Sequence, residues 1–262
     1  MGIIFKNRHM KWIVLLAPLI ACGPARAAPT LALGDGESLV YSVSWVVVPG
    51  AGEIRVAAQS AVDPLGGRQI RIVSTTSTRG LAYLLLPFRA RAESLFGIDS
   101  GHLLWLGESS ETRSRRDSHT VIFDYPRRTA NYINARDPRV TVPLAMPAGD
   151  PTDLITCLLL ARTWDLKPGQ KHDALVLFDD DFYELTVHAN GFEQLDTPFG
   201  SLKTLMLEPR MERTPPKGMF KRGSRVRVWI SQDGRRLPVR FQVFFKFGSG
   251  MATLVQYTPP AP

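Results

Sequence analysis

A chain of 262 residues with 44% apolar content is long enough and apolar enough to bury a sizeable core, which excludes an intrinsically disordered polypeptide. Its formal charge of +8 is inflated at the start: residues 1–27 contain Lys6, Arg8, Lys11 and Arg26 and no acidic residue, so their removal leaves +4. The other basic residues are interleaved with acidic ones, the densest groups being Arg113 to Arg116 and residues 217–227, and this argues against nucleic acid as a partner.

In chain order, Lys6, Arg8 and Lys11 precede the apolar run 12–21, the pattern of a secretory signal peptide. That run is about half of the roughly 20 residues a spanning helix needs, and no other stretch comes closer, so no transmembrane span is expected. Two processing sites compete. Ala25-Arg26-Ala27 before Ala28 fits the small-x-small rule, whereas Leu19-Ile20-Ala21-Cys22 reads as a lipoprotein box with Cys22 as the acylated residue. The expectation is a signal peptide over 1–27 and a single β domain over 28–262 in the periplasm. The alternative is a lipoprotein signal over 1–21 and a membrane-anchored protein facing the periplasm. Soluble export leaves Cys157 alone, so the fold must hold without an internal disulfide.

The first strand is announced by Leu39, Tyr41, Val43, Trp45 and Val47 alternating with Ser38, Ser42 and Ser44. Turns at Pro49-Gly50-Ala51-Gly52 and Pro64-Leu65-Gly66-Gly67 then lead to Ile54, Val56, Ile70 and Ile72, an opening three-stranded meander. Residues 80–88 are apolar without alternation and are flanked by Arg79, Arg89 and Arg91. They read as a core strand or short helix, or as a cover over the mouth of a curved sheet. In the second case Leu81, Tyr83, Leu84, Leu85 and Phe88 would meet an apolar ligand and Arg89 and Arg91 its anionic head group.

One helix is expected over 151–164, with Asp150 as cap, Pro151 in the first turn and Asp153 near the positive end of the dipole. Leu154, Ile155, Cys157, Leu158, Leu159, Leu160 and Ala161 leave it little polar face, so it should be buried nearly all round and needs a concave partner. Asp179-Asp180-Asp181 then reads as a polar hairpin turn ahead of Tyr183, Leu185 and Val187, with a site for a hard cation as the alternative. Val226, Val228 and Ile230 pair through a Gln232-Asp233-Gly234 hairpin with the long alternation Leu237, Val239, Phe241, Val243, Phe245, Phe247. Trp229 is out of phase with its neighbours, between Arg225, Arg227 and Ser231: either a binding aromatic at the surface or a residue covered by a second layer. The chain therefore reads as mainly all-β, about a dozen strands in a strongly curved antiparallel sheet or open β-barrel around one buried helix. A two-sheet sandwich is the alternative, and no fixed-period repeat supports a propeller or solenoid.

Three patterns carry a resemblance: Gly36-Glu37-x-Leu39-x-Tyr41-x-Val43-x-Trp45; Asp150-Pro151-x-Asp153-x-Ile155 with Arg162; and Val228-Trp229-Ile230-Ser231-x-Asp233-x-x-Arg236-x-Pro238-Val239. The sequence resembles the bacterial envelope family called domain of unknown function 3108 over nearly the whole mature chain. The resemblance implies export and an all-β domain. It implies no activity and no catalytic residues.

The chemistry-bearing residues point the same way. There is no Gly-x-Ser-x-Gly elbow, and Gly248-Ser249-Gly250 lacks the spacing. His102, His119, His172 and His188 form no metal-binding spacing and read as exposed or half-exposed structural residues, so neither a metal nor a cofactor is expected. The reading is a non-enzymatic envelope protein that binds a hydrophobic ligand or an envelope protein during assembly or transport. A lipid or lipoprotein carrier would need an apolar cavity, a hydrolase would need converging polar side chains in a cleft, and a scaffold would bind its partner by a sheet edge.

Overall fold

The computed structural model describes residues 31–261 apart from 47, 64–65, 140, 218–219, 221–222 and 246–247. The expected signal segment, Cys22, and the apolar positions 47, 65 and 247 lie outside the described residues.

Fifteen strands form one continuous sheet. They are β1 (Ser38–Trp45), β2 (Val48–Val62), β3 (Arg68–Thr78), β4 (Phe88–Gly97), β5 (Leu103–Thr112), β6 (Arg116–Asp124), β7 (Thr129–Asn134), β8 (Thr141–Ala145), β9 (Pro151–Asp153), β10 (Lys171–Phe178), β11 (Asp181–Thr197), β12 (Gly200–Arg210), β13 (Arg225–Ser231), β14 (Pro238–Phe245) and β15 (Gly248–Thr258). The order is β8 to β1 and then β15 to β9, so the two ends of the chain meet in the middle of the sheet, where β1 pairs antiparallel with β15. Every pairing is antiparallel except that of β9 with β10. The edges β8 and β9 are not hydrogen-bonded to each other, so this is the expected curved, open barrel, with more strands than the dozen anticipated. Its two limbs curl together: Tyr132 on β7 donates its hydroxyl to Asp179 beyond β10 at 3.2 Å, and Arg128 reaches the Pro147 and Gly149 carbonyls.

The period-two pattern sets which face is inside. Leu39 and Tyr41, Val56 and Ala58, Ile70 and Ile72, Phe96, Leu106 and Val121 all point inward and are buried. On β1 and β14 the alternation outruns the core: Leu39, Tyr41, Leu237 and Val239 are buried, whereas Trp45 and Phe245, farther along, are exposed and meet in a tilted ring contact at 5.3 Å. Two turns differ from expectation. Trp45 already pairs with Val48, so the first reversal precedes Pro49, with Val46 in the left-handed region at φ 53°. The link between β13 and β14 is a wider loop closed by Ser231 and Leu237, in which Arg236 at φ 47° takes the left-handed conformation that Gly234 was expected to supply.

The helices are α1 (Gly80–Leu85), between β3 and β4, and α2 (Leu154–Leu160), extended by a 3-10 turn over Ala161–Thr163. α2 is the expected buried helix: every residue from Leu154 to Ala161 is buried or half-buried. Its start is displaced, because Pro151 and Asp153 belong to β9. Asp153, not Asp150, is the cap, accepting from the Thr156 amide at 2.9 Å. Residues 151–153 pair as a strand along the free edge of β10, and the helix begins where that pairing ends.

Candidate functional site

The residues of the three sequence patterns converge on α2. Glu37 accepts from the Gly34 amide at 2.9 Å and forms a buried ion pair with Arg162, which follows the helix. Asp153 caps the helix with one oxygen and accepts the Ser94 hydroxyl of β4 at 2.6 Å with the other. In the β13–β14 loop Asp233 accepts from Ser231 at 2.7 Å, the Ser231 hydroxyl in turn accepts from the Leu237 amide at 2.7 Å, and Arg236 donates to the carbonyls of Arg162 and Trp164 at 2.7 and 2.6 Å. These carbonyls lie at the helix end, where orphan acceptors need a donor. The patterns thus encode a lock that holds a plug helix inside the barrel. They contain no reactive centre.

The plug fills the barrel unevenly. Leu159 packs into the main core; Leu158 and Ala161 meet Leu205, Val228 and Ile230; and Cys157 meets Val176 and Leu185. Burial pushes the Cys157 thiol up to about 12, so it is protonated and unreactive. Two apolar voids around the helix measure about 20 and 10 Å3, and a third space beside Cys157, Leu160 and Trp164 measures about 330 Å3 but is half polar, with Asp150, His172, Asp173, Glu184 and Arg213 in its lining. On the opposite limb, a cleft of about 650 Å3 remains between the inner face of β3–β7 and a wall made by Leu154, Ile155, Phe178 and Asp179.

The floor of this cleft is polar. Ser74 and Thr76, Ala90 and Ala92, Glu108 and Ser110, Asp117 and His119, and Tyr132 and Asn134 come from the inward positions of five neighbouring strands. At its centre the His119 side chain, nine-tenths enclosed, lies between Glu108 at 3.3 Å and Asp179 at 3.9 Å and stacks on Tyr132 at 4.9 Å. Its Nε2 makes no well-aligned hydrogen bond despite the nearness of Glu108, so a buried polar atom is left without a partner. Burial, and then the charge of Asp179, push the Tyr132 hydroxyl up to about 12. The arrangement offers donors, acceptors and ring faces but no activated nucleophile. Among the described residues no three His, Cys, Asp or Glu side chains converge as metal ligands.

The residues singled out from sequence are distributed around this cleft and away from it. Phe88 and Arg91 line its mouth. Leu81, Tyr83, Leu84 and Leu85 stand exposed on α1, with Gly80 at φ 54° turning the chain out of β3. Arg89 lines a second groove of about 700 Å3, which adjoins the cleft and shares Arg91 with it. Trp229 is elsewhere: it is buried against the β11–β12 hairpin, its indole donating to Glu193 at 2.8 Å, so a second layer does cover it. Asp179 and Asp180 form the hairpin turn between β10 and β11. Of the histidines, His102 stacks on Tyr125 and His188 meets Glu212 at 2.7 Å. Sequence reasoning missed the Glu108, His119, Tyr132 and Asp179 group. The β5–β6 register alone sets His119 opposite Glu108, but Asp179 arrives only through the curl of the sheet.

The pattern of the family described as "Protein of unknown function (DUF3108)" matches residues 40–255. The chain belongs to that family. Among solved structures, the DUF3108 chain is similar to a beta-barrel-like protein of domain of unknown function DUF1849 from Brucella abortus, with a TM-score of 0.54 and 7% identity over 88% of this chain and 100% of that one. This is a likeness of fold. A protein from Bacteroides fragilis described as exported, with a YmcC-like fold, and a lipoprotein from Parabacteroides distasonis give TM-scores of 0.33 and 0.31, at 10% and 9% identity. They cover 88% and 87% of the DUF3108 chain and 100% and 99% of their own, and carry no further weight. No curated protein matches the sequence.

Proposed function

We propose that this protein is exported to the periplasm and, without catalysing a reaction, binds an amphiphilic component of the cell envelope, the polar part in the cleft of β3–β7 and the apolar part along the exposed leucines of α1. Export is supported by the basic segment and apolar run of residues 6–21. The observation that carries the binding reading is the cleft of about 650 Å3 whose floor is Ser, Thr, Glu, His, Tyr and Asn, bordered at its mouth by Phe88 and thence by α1. A carrier that hides a whole acyl chain is disfavoured by the plug, because the wholly apolar void beside it holds about 20 Å3 and the larger space of about 330 Å3 is lined by Asp150, Asp173, Glu184 and Arg213. Hydrolysis is disfavoured because, among the described residues, none of the serines lining the cleft is hydrogen-bonded to His119, Glu108 or Asp179.

Native mass spectrometry on protein released gently from its own periplasm or membranes tests this. A bound species near one per chain is expected, and Glu108→Gln with His119→Phe should lower its occupancy while leaving the fold intact. A bare polypeptide would move the reading to a scaffold that binds another protein. The same spectrum reads diacylglycerol on Cys22, the mark of the lipid-anchored alternative.

A further inference from the structure

The strand registers bring several turns to one end of the barrel. Trp45 pairs with both Val48 and Gly250, Phe245 with Gly248, and Gly52 with Thr78 just before α1, so the β1–β2, β3–β4 and β14–β15 connections share a rim. This rim gathers most of the large apolar side chains that stand exposed among the described residues: Trp45, Val46, Val48, Phe245, and on α1 and just after it Leu81, Tyr83, Leu84, Leu85 and Leu86. Elsewhere they occur singly, as at Val62 and Ile122. α1 has no buried residue at all, and Leu85 is 82% exposed. The leucines are therefore not exposed as a by-product of packing some other face.

The charges behind them are unbalanced. Glu53 is shared by Arg55 and Arg79, Glu93 by Arg71 and Arg91, and Asp117 by Arg115 and Arg136. Arg89 and Arg113 have no carboxylate partner among the described residues, and Arg113 instead donates to the Leu84 carbonyl at 2.9 Å, which holds a guanidinium against the base of the leucine turn. Apolar side chains in front, aromatic rings beside them and surplus guanidiniums one layer behind match the layering of a bilayer surface: acyl region, interface, anionic head groups. A second copy of this chain would bring the same positive surplus against it.

We propose that this rim docks the barrel on an anionic lipid bilayer, with the α1 leucines inserted. The inference shares the α1 leucines with the proposed ligand site but not the cleft, so Glu108→Gln, which lowers ligand occupancy, and Arg113→Gln, which lowers vesicle binding, distinguish the failure of one from the failure of the other. The test uses protein with Cys22→Ser recovered from the periplasm, so that no acyl anchor contributes. It is mixed with vesicles of phosphatidylglycerol and phosphatidylethanolamine, or of phosphatidylcholine alone. Sedimentation should show binding to the anionic vesicles, little to the neutral ones, and weakening with salt. Brominated acyl chains should quench tryptophan emission, and Trp45→Phe should abolish most of that quenching. Leu84→Ser with Leu85→Ser should weaken binding by roughly tenfold or more, and Arg89→Gln with Arg113→Gln by about tenfold. Glu108→Gln, which targets the cleft, should leave vesicle binding unchanged. Absence of binding to anionic vesicles, or equal binding by the double leucine variant, overturns the proposal. Self-association that disappears in the leucine variant, without vesicle binding, assigns the rim to a second copy and overturns it as well.

Discussion

Strands β10–β13 and strands β3–β7 belong to one sheet but are built by different rules. In β10 Leu175, Val176 and Leu177 are buried in succession, and in β13 Val228, Trp229, Ile230 and Ser231 are too, so these strands are covered on both faces, β10 by the main core on one and by Cys157 of α2 on the other. In β3–β7 burial alternates, and along half of the inward face the apolar residues give way to Ser74, Glu108, Ser110, His119 and Asn134 over an unfilled cleft. A limb dry on both sides is a frame, since every change of volume in it is felt. A limb with one wet concave face contributes less to stability and is free to recognise something. The Asp150 to Ile155 and Val228 to Val239 patterns, with Glu37 and Arg162, fall beside or on the dry limb and on the lock that holds α2, which is why they disclose the fold and are silent about the ligand.

The largest effect expected from breaking this contrast is at the lock. Glu37→Ala would leave the Arg162 guanidinium buried without its carboxylate and should cost about 3–5 kcal/mol, read from the urea midpoint. Replacing both partners, as Glu37→Leu with Arg162→Met, removes two desolvated charges together and should cost far less than the single change. Glu108→Gln in the cleft should stay within about 1 kcal/mol. A Glu37→Ala protein as stable as the parent would show that the plug is held by packing alone.

A second, intermediate effect is a loss of stability at alkaline pH that originates in the frame. Burial raises the Tyr41 hydroxyl, whose only outlet is the Pro238 carbonyl at 3.0 Å, well above its ordinary 10.0. It also raises Cys157 from 9.0 to about 12. Both groups are neutral in the folded protein where the unfolded chain has already released its protons. Their contribution is therefore fully present below about pH 9 and is lost as pH rises through about 9 to 12, at ~1.4 kcal/mol per pH unit for each group beyond its unfolded value. Urea midpoints measured across this range should fall progressively, and a flat profile would mean that neither group is as enclosed as the structure has it.

How much of this was legible in the sequence follows from the range of the interactions. Alternation in residues 38–45 and 237–245 identified strands because each side chain's burial depends on its own phase. The apolar run of residues 154–161 identified a plug because a helix without a polar face must be enclosed. Local signals failed where a distant partner decided: β9 claimed Pro151 and Asp153 by pairing with β10, and Arg236, at φ 47°, reaches carbonyls at the end of α2, more than 70 residues earlier in the chain. Trp229 looked unsatisfied only because the β11–β12 hairpin and Glu193 that cover it lie outside its own strand. The cleft was the least legible part, since Glu108, His119, Tyr132 and Asp179 come from four segments and converge only when the limbs curl together.

The smallest expected effect gives the sharpest distinction between side chains that build the molecule and side chains kept for a partner. Leucine is the same residue at 84, 85 and 159, but Leu159 is fully enclosed and Leu84 and Leu85 are 67% and 82% exposed. Leu159→Ala should therefore cost about 2–5 kcal/mol through lost contacts and a residual cavity, whereas Leu84→Ser with Leu85→Ser should leave the urea midpoint within the equivalent of about 0.5 kcal/mol. A large destabilisation by the paired serine change would mean that α1 packs onto the barrel in solution and that its leucines belong to the frame. Unchanged stability would leave them with no role in folding, and a solvent-facing cluster of that kind, liable to aggregate, is maintained only where something outside the chain covers it.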